Sequence, residues 1–141
     1  MSSAMRPIVA IGVVFLAMAV VVGFSQWRAS HAREVIPWRP DLATTQTEAR
    51  KRHKAVFAYF TASWCGPCQQ MKSTTWADNA VKGAMEKFVP VKIDVDASRA
   101  LAEQYRVDGI PAFFVIAETG QVLRRSSGFK PPEEMIAWLE Q

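Results

Sequence analysis

No charged residue occurs from Pro7 to Gln26, and Ile8–Phe24 reads IVAIGVVFLAMAVVVGF. As a helix rising 1.5 Å per residue, that run covers about 26 Å, close to the roughly 30 Å hydrocarbon core of a bilayer. It exceeds the apolar region of a signal peptide, about 7 to 15 residues. Its best small-x-small position, Gly23-Phe24-Ser25, fits a cleavage site only in part. Residues 1–26 therefore read as an uncleaved membrane anchor, with a cleaved signal segment as the alternative. The remainder of the 141-residue chain is long enough for one domain and too short for two.

The charges flanking the run bear on topology. Arg6 precedes it and Arg28, Arg33 and Arg39 follow it, which by the positive-inside count favours a cytoplasmic domain. Residues 27–40, WRASHAREVIPWRP, read as a tether, with little periodicity and two prolines. Trp27 and Trp38 are placed to sit at a lipid interface, or, for Trp38, to pack over the first helix of the domain.

From residue 41 helical and strand patterns alternate. A helix is predicted over 42–53 with Asp41 as its N-cap, a buried strand over 55–60, and a helix from the Cys65–Cys68 turn through QQMKSTT. Further helices are predicted over 79–88 and 98–105, the second capped by Asp96, and a strand over 89–95. Strands over 112–117 and 121–127 form a hairpin around Gly120, and a closing helix covers 131–140. This order predicts an α/β sheet covered by helices on both faces. Met71, Met85 and Trp76 are expected in its packing.

Cys65 and Cys68 are the only cysteines. A structural zinc site wants four Cys or His ligands, and the only histidines are His31, in the tether, and His53, on a basic helix end. A structural disulfide closing so short a loop would constrain the unfolded chain little. A redox pair at a helix N-terminus fits better, because the free N–H groups there favour a thiolate. RKRHK (50–54) reads as a helix end, where cations are favourable. Leaving Arg6 aside, 16 basic residues face 13 acidic ones, too mild a balance to indicate nucleic acid as a partner.

WCGPC (64–68) resembles the active-site motif of thioredoxins residue for residue, GIPAFFV (109–115) resembles their cis-proline segment, and VKIDVD (91–96) the strand between. Gly128 falls where the family has a glycine after the hairpin. The resemblance covers about Val35 to Gln141. ASWCGPCQQMKSTTWADNAVKGAM is more similar to the C-terminal thioredoxin-like domain of DsbD-type transmembrane disulfide reductases. Such domains work outside the cytoplasm, which favours an exported domain over the arginine count.

The resemblance implies a thioredoxin fold over 41–141 and a set of roles. Cys65 would be the nucleophile and Cys68 the resolving thiol. Gly66 and Pro67 would set the turn, and Trp64 would shield the pair. Ile110 and Pro111 would form a cis peptide bond that meets an extended substrate. In the family Gly-Pro accompanies reducing proteins, thioredoxin lying near roughly −270 mV. One residue departs from the pattern. Six positions before the first cysteine the family has a buried aspartate that assists the second thiol, and here the residue is Tyr59. With an ordinary pKa of about 10, a phenol is a poor base at neutral pH. The family's partner lysine corresponds to Lys92, for which a surface lysine is the alternative reading.

The expected protein is thus a monomeric thiol–disulfide oxidoreductase anchored by one span in the inner membrane, its domain periplasmic. It needs no bound cofactor or metal. Its partners would be a protein disulfide and a membrane electron donor, since an oxidising compartment otherwise leaves the pair oxidised. A net thiol oxidase, a non-catalytic peptide-docking module and a cytoplasm-facing or secreted thioredoxin are the alternatives.

Overall fold

The parallel pairing of strand β1 (Ala55–Thr61) with β2 (Phe88–Asp94) organises the molecule. The structure is a computed structural model; it describes the backbone of residues 5–30 and 33–141 and the side chains of 11–24 and 33–141. His31 and the side chains of Arg6, Trp27 and Arg28 lie outside the described residues. The chain divides into two units, at Ala32 and Arg33.

The first unit holds helix α1 (Met5–Ser30), which continues four residues past the expected end of the apolar segment. Its described side chains are all exposed, Phe15 and Leu16 by 68% and 69%. Among the described residues, no helix is long and apolar enough to cross a membrane.

In the second unit β1 also pairs antiparallel with β3 (Ala112–Ile116), which pairs antiparallel with β4 (Val122–Ser127), giving the order β2-β1-β3-β4. Alternation along β1 divides the core in two, as the period of a strand requires. Phe57 and Tyr59 face α3 (Gly66–Ser73), the 3-10 turn Thr75–Ala77, α4 (Asn79–Met85) and α6 (Pro132–Leu139), where Met71, Trp76, Met85 and Met135 are buried. Val56, Ala58 and Phe60 face α2 (Leu42–Arg52) and α5 (Arg99–Gln104) through Leu42, Ala49 and Leu101. Helices therefore cover both faces of a mixed sheet.

The helix ends follow local chemistry. Asp41 caps α2 by accepting from the Thr44 N–H at 2.7 Å, and Asp78 caps α4 by accepting from Ala80 and Val81. α2 stops at His53, which takes the left-handed conformation (φ 52) with Arg50, Lys51 and Arg52 in the last turn. α4 ends at Met85 rather than Phe88, because Phe88 opens β2 opposite Ala55. The hairpin turns on Gly120 (φ 92), and β4 starts one residue later than expected because the Gln121 carbonyl accepts from Ala117 in the turn.

Residues 33–39 are bound into this unit. Ile36 is buried, the Val35 N–H donates to the Trp76 carbonyl at 2.7 Å, and Arg39 forms a single-residue parallel bridge with Val91. Trp38 packs on Trp76 and Tyr59, with ring centroids 5.1 and 5.4 Å away, and not over the first helix of the domain. The apolar ring is drawn to the aromatic core face of the sheet.

Candidate active site

β1 and β2 run parallel, so both end on the side where β3 begins and β4 finishes. The Val95 N–H extends the β1–β2 ladder by donating to the Thr61 carbonyl at 2.9 Å. Residues 62–64 then turn, and Cys65, in extended conformation, is the N-cap of α3. Pro67 follows in the first turn, where a missing N–H costs no helical bond.

The two sulfurs lie 2.15 Å apart, at disulfide distance, with Cα atoms separated by 5.2 Å. The Cys68 N–H donates to Cys65 Sγ at 3.2 Å, so a free helix N–H is aimed at the first sulfur. Both cysteines are buried in this state, at 4% and 2% exposure. Ala62, Val95 and Ile110 pack against them.

Trp64, beside the first cysteine, is 68% exposed. Its indole N–H donates to Asp96 Oδ2 at 2.8 Å. Asp96 therefore does not cap α5, whose N-cap is Ser98 without a side-chain bond. The Asp94 carboxylate holds the intervening turn by accepting from the Asp96 and Ala97 N–H groups.

The Ile110–Pro111 peptide bond is cis, Pro111 is buried, and Ile110 touches the cysteine cluster. The Gly128 N–H donates to the Pro111 carbonyl at 2.8 Å, and Gly128 reaches that position with φ 88, a conformation glycine adopts without a Cβ clash. The motif cysteines and the cis-proline segment, distant in sequence, thus meet at one end of the sheet.

Tyr59 is buried, 1% exposed, between Trp38, Trp76 and Phe113. Burial raises its pKa above the ordinary phenol value, with Thr61 and Trp76 opposing and the Glu34 charge adding to the rise. Lys92 lies opposite Tyr59 in the β1–β2 register, but its ammonium is engaged by both oxygens of Glu34 at 2.8 and 2.9 Å. Asp96, read from the sequence as a helix cap, instead accepts from Trp64. Glu34 is the residue that sequence reasoning missed here, and nothing local pointed to it. Among the described residues no three His, Cys, Asp or Glu side chains converge as a metal ion would need.

Residues 42–141 match the family model of the thioredoxin-like domain. The chain is 37% identical over 94 residues to thioredoxin from Bacillus subtilis, covering 66% of this chain and 88% of that protein. Among solved structures it is similar to a thioredoxin from Thermus thermophilus, with TM-score 0.67 and 28% identity over 74% of this chain and 85% of that one. It is also similar to the C-terminal domain of DsbD from Neisseria meningitidis in its oxidised form, with TM-score 0.61 and 30% identity over 70% and 89% of the two chains. With a cysteine pair at disulfide distance on this fold, the chain belongs to the thioredoxin-like family and is a thiol–disulfide oxidoreductase.

Proposed function

We propose that this protein is a membrane-tethered oxidoreductase that reduces or exchanges disulfides of other proteins outside the cytoplasm. The observation that carries the reading is the Cys65–Cys68 pair at the start of α3, packed against Ile110 of the cis peptide bond. The anchor is supported by the uncharged run of the sequence and the exposed apolar side chains of α1. The extracytoplasmic setting is supported by the likeness to the DsbD C-terminal domain.

In the reduced protein the Cys65 thiolate, favoured by the α3 N-terminus, attacks one sulfur of the substrate disulfide. The substrate S–S bond breaks, a Cys65–substrate bond forms, and the other substrate sulfur leaves as a thiolate that takes a proton from water. Cys68 then loses its proton and attacks Cys65 Sγ, forming the Cys65–Cys68 disulfide and releasing the second substrate thiol. The substrate gains two electrons and two protons, and a dithiol electron donor at the membrane must return the pair to its reduced state. Tyr59, neutral and buried, is unsuited to take the Cys68 proton, which passes instead to water or to a group of the bound substrate. Ile110 and Pro111 offer backbone to the substrate segment, while Gly66 and Pro67 hold the cysteine turn.

The test is the redox state of Cys65 and Cys68 in cells, read by acid quench, alkylation with a heavy maleimide and gel shift. A mostly reduced pair is expected. A mostly oxidised pair would overturn the reductase reading in favour of a disulfide donor.

A further inference from the structure

α5 ends at Gln104, and the chain leaves it through Arg106 in the left-handed conformation, φ 51. Such positions after a helix go to glycine, or sometimes asparagine, because a Cβ crowds the backbone there. The turn is already closed by backbone bonds from Arg106 to Glu103 and from Val107 to Ala102, at 3.0 and 2.9 Å, so the arginine side chain adds nothing to it. A residue held in an unfavourable conformation without local reward is a pointer to use elsewhere.

The Arg106 side chain lines three adjoining clefts of about 260, 660 and 430 Å³, each shared with Arg125 of β4, and Arg99 joins in the largest. Ala112 and Phe114, paired in register with Ser127 and Arg125, line the first cleft, which borders on Gly109 beside the cis peptide bond. All three arginines are exposed. Glu103 and Asp108 border the same clefts, yet the ion pairs among the described residues engage Arg39, Arg52, His53 and Lys92 and none of these three.

We propose that Arg99, Arg106 and Arg125 form a docking groove for an acidic segment of the protein whose disulfide Cys65 attacks. The proposal rests on the disulfide-reducing reading above and names its substrate class. A guanidinium fork matches a carboxylate in two parallel bonds. A substrate segment lying along the Gly109–Pro111 loop brings the residues flanking its cysteine past this groove. Complementary charge there raises the rate of productive encounter and discriminates between substrates.

The test uses the full chain in detergent micelles, reduced beforehand, and short peptides carrying one cysteine as a mixed disulfide with mercaptoethanol. The flanking residues are either Glu and Asp or Ser and Asn. The acidic peptide is expected to be reduced about tenfold faster at low salt, with the advantage shrinking at about 0.5 M salt. The variant combining Arg106→Gly with Arg125→Ser is expected to lose that advantage. Arg106→Gly alone is expected to keep or raise the melting temperature, because glycine suits the left-handed position. Reduction of the neutral hydroxyethyl disulfide should be the same for all chains. Equal rates for the two peptides with the unaltered chain, or an advantage that survives in the double variant, would overturn the groove. Failure to reduce hydroxyethyl disulfide would instead sink the reductase reading. The groove is then judged by fluorescence anisotropy of the same peptides on the Cys65→Ser, Cys68→Ser chain, where tighter acidic binding supports it and equal binding overturns it.

Discussion

The indole N–H of Trp64 is held by Asp96 at 2.8 Å even though the ring is 68% exposed. The residue beside the first cysteine is therefore oriented by the loop after β2, and the Asp94 carboxylate keeps that loop in shape. In Asp96→Ala the Trp64 indole N–H loses its acceptor. Its ¹⁵N-indole resonance should move toward that of a solvated tryptophan, and exchange with a protein disulfide should slow a few-fold, as expected for a bond of about 1 kcal/mol. An unshifted resonance would show that the ring is oriented by something else.

Tyr59→Asp should separate stability from proton transfer. The substitution removes an aromatic ring packed between Trp38, Trp76 and Phe113 and leaves a carboxyl group in its place. Urea unfolding should show a loss of about 2–4 kcal/mol. Stopped-flow measurement should find the Cys68 step faster, since a base then stands where the phenol was. An unchanged or slower step would reject the view that the missing carboxylate limits turnover.

Tyr59 also sets an alkaline limit. Its folded pKa lies above the ordinary value because burial disfavours the phenolate. Below the unfolded pKa, near 10, both states hold the proton and the contribution is fully present. As pH rises toward the folded pKa, the unfolded chain ionises first and that stability is lost. Between pH 8 and about 11, the unaltered chain should lose more in urea midpoint than Tyr59→Phe does. Parallel losses would place the alkaline sensitivity elsewhere.

Glu34 and Lys92 form an ion pair that is 17% and 30% exposed, so solvent screens it only in part. A double-mutant cycle with Glu34→Gln and Lys92→Met should give a coupling of about 1 kcal/mol, between the values for surface and buried pairs. A coupling near zero would make the contact incidental to how residues 33–39 are held.

The proposed anchor has a direct readout. The full chain, expressed in bacterial cells, should stay in the membrane pellet after an alkaline carbonate wash, while a chain lacking residues 1–32 should leave it. Recovery of the full chain in the wash would reject an anchor.

The strands and helices of the second unit were legible because each carries its own pattern: the apolar run of 55–60, the Asp41 cap, the glycine of the hairpin. The motif cysteines and the Ile110–Pro111 segment were equally plain. Contacts made across the chain were not. Glu34 and Lys92 are 58 residues apart, and no periodicity in a short, proline-containing stretch announces that Ile36 is buried or that Trp38 joins the aromatic core. Asp96 sits where a helix cap belongs, and only the three-dimensional approach of Trp64 reveals that its side chain is taken.

The bridge between Arg39 and Val91 has a consequence for how copies of this sheet can meet. Arg39 gives its N–H to the Pro90 carbonyl and receives the Lys92 N–H, so it occupies the middle of the β2 rim with backbone from the same molecule. β4 on the opposite rim pairs only with β3 among the described residues, and Val122 and Leu123 stand exposed there at 39% and 54%. A free rim is a template for a foreign strand. Misassembly of this molecule therefore has a polarity: an incoming segment finds one margin already occupied at its centre and the other open.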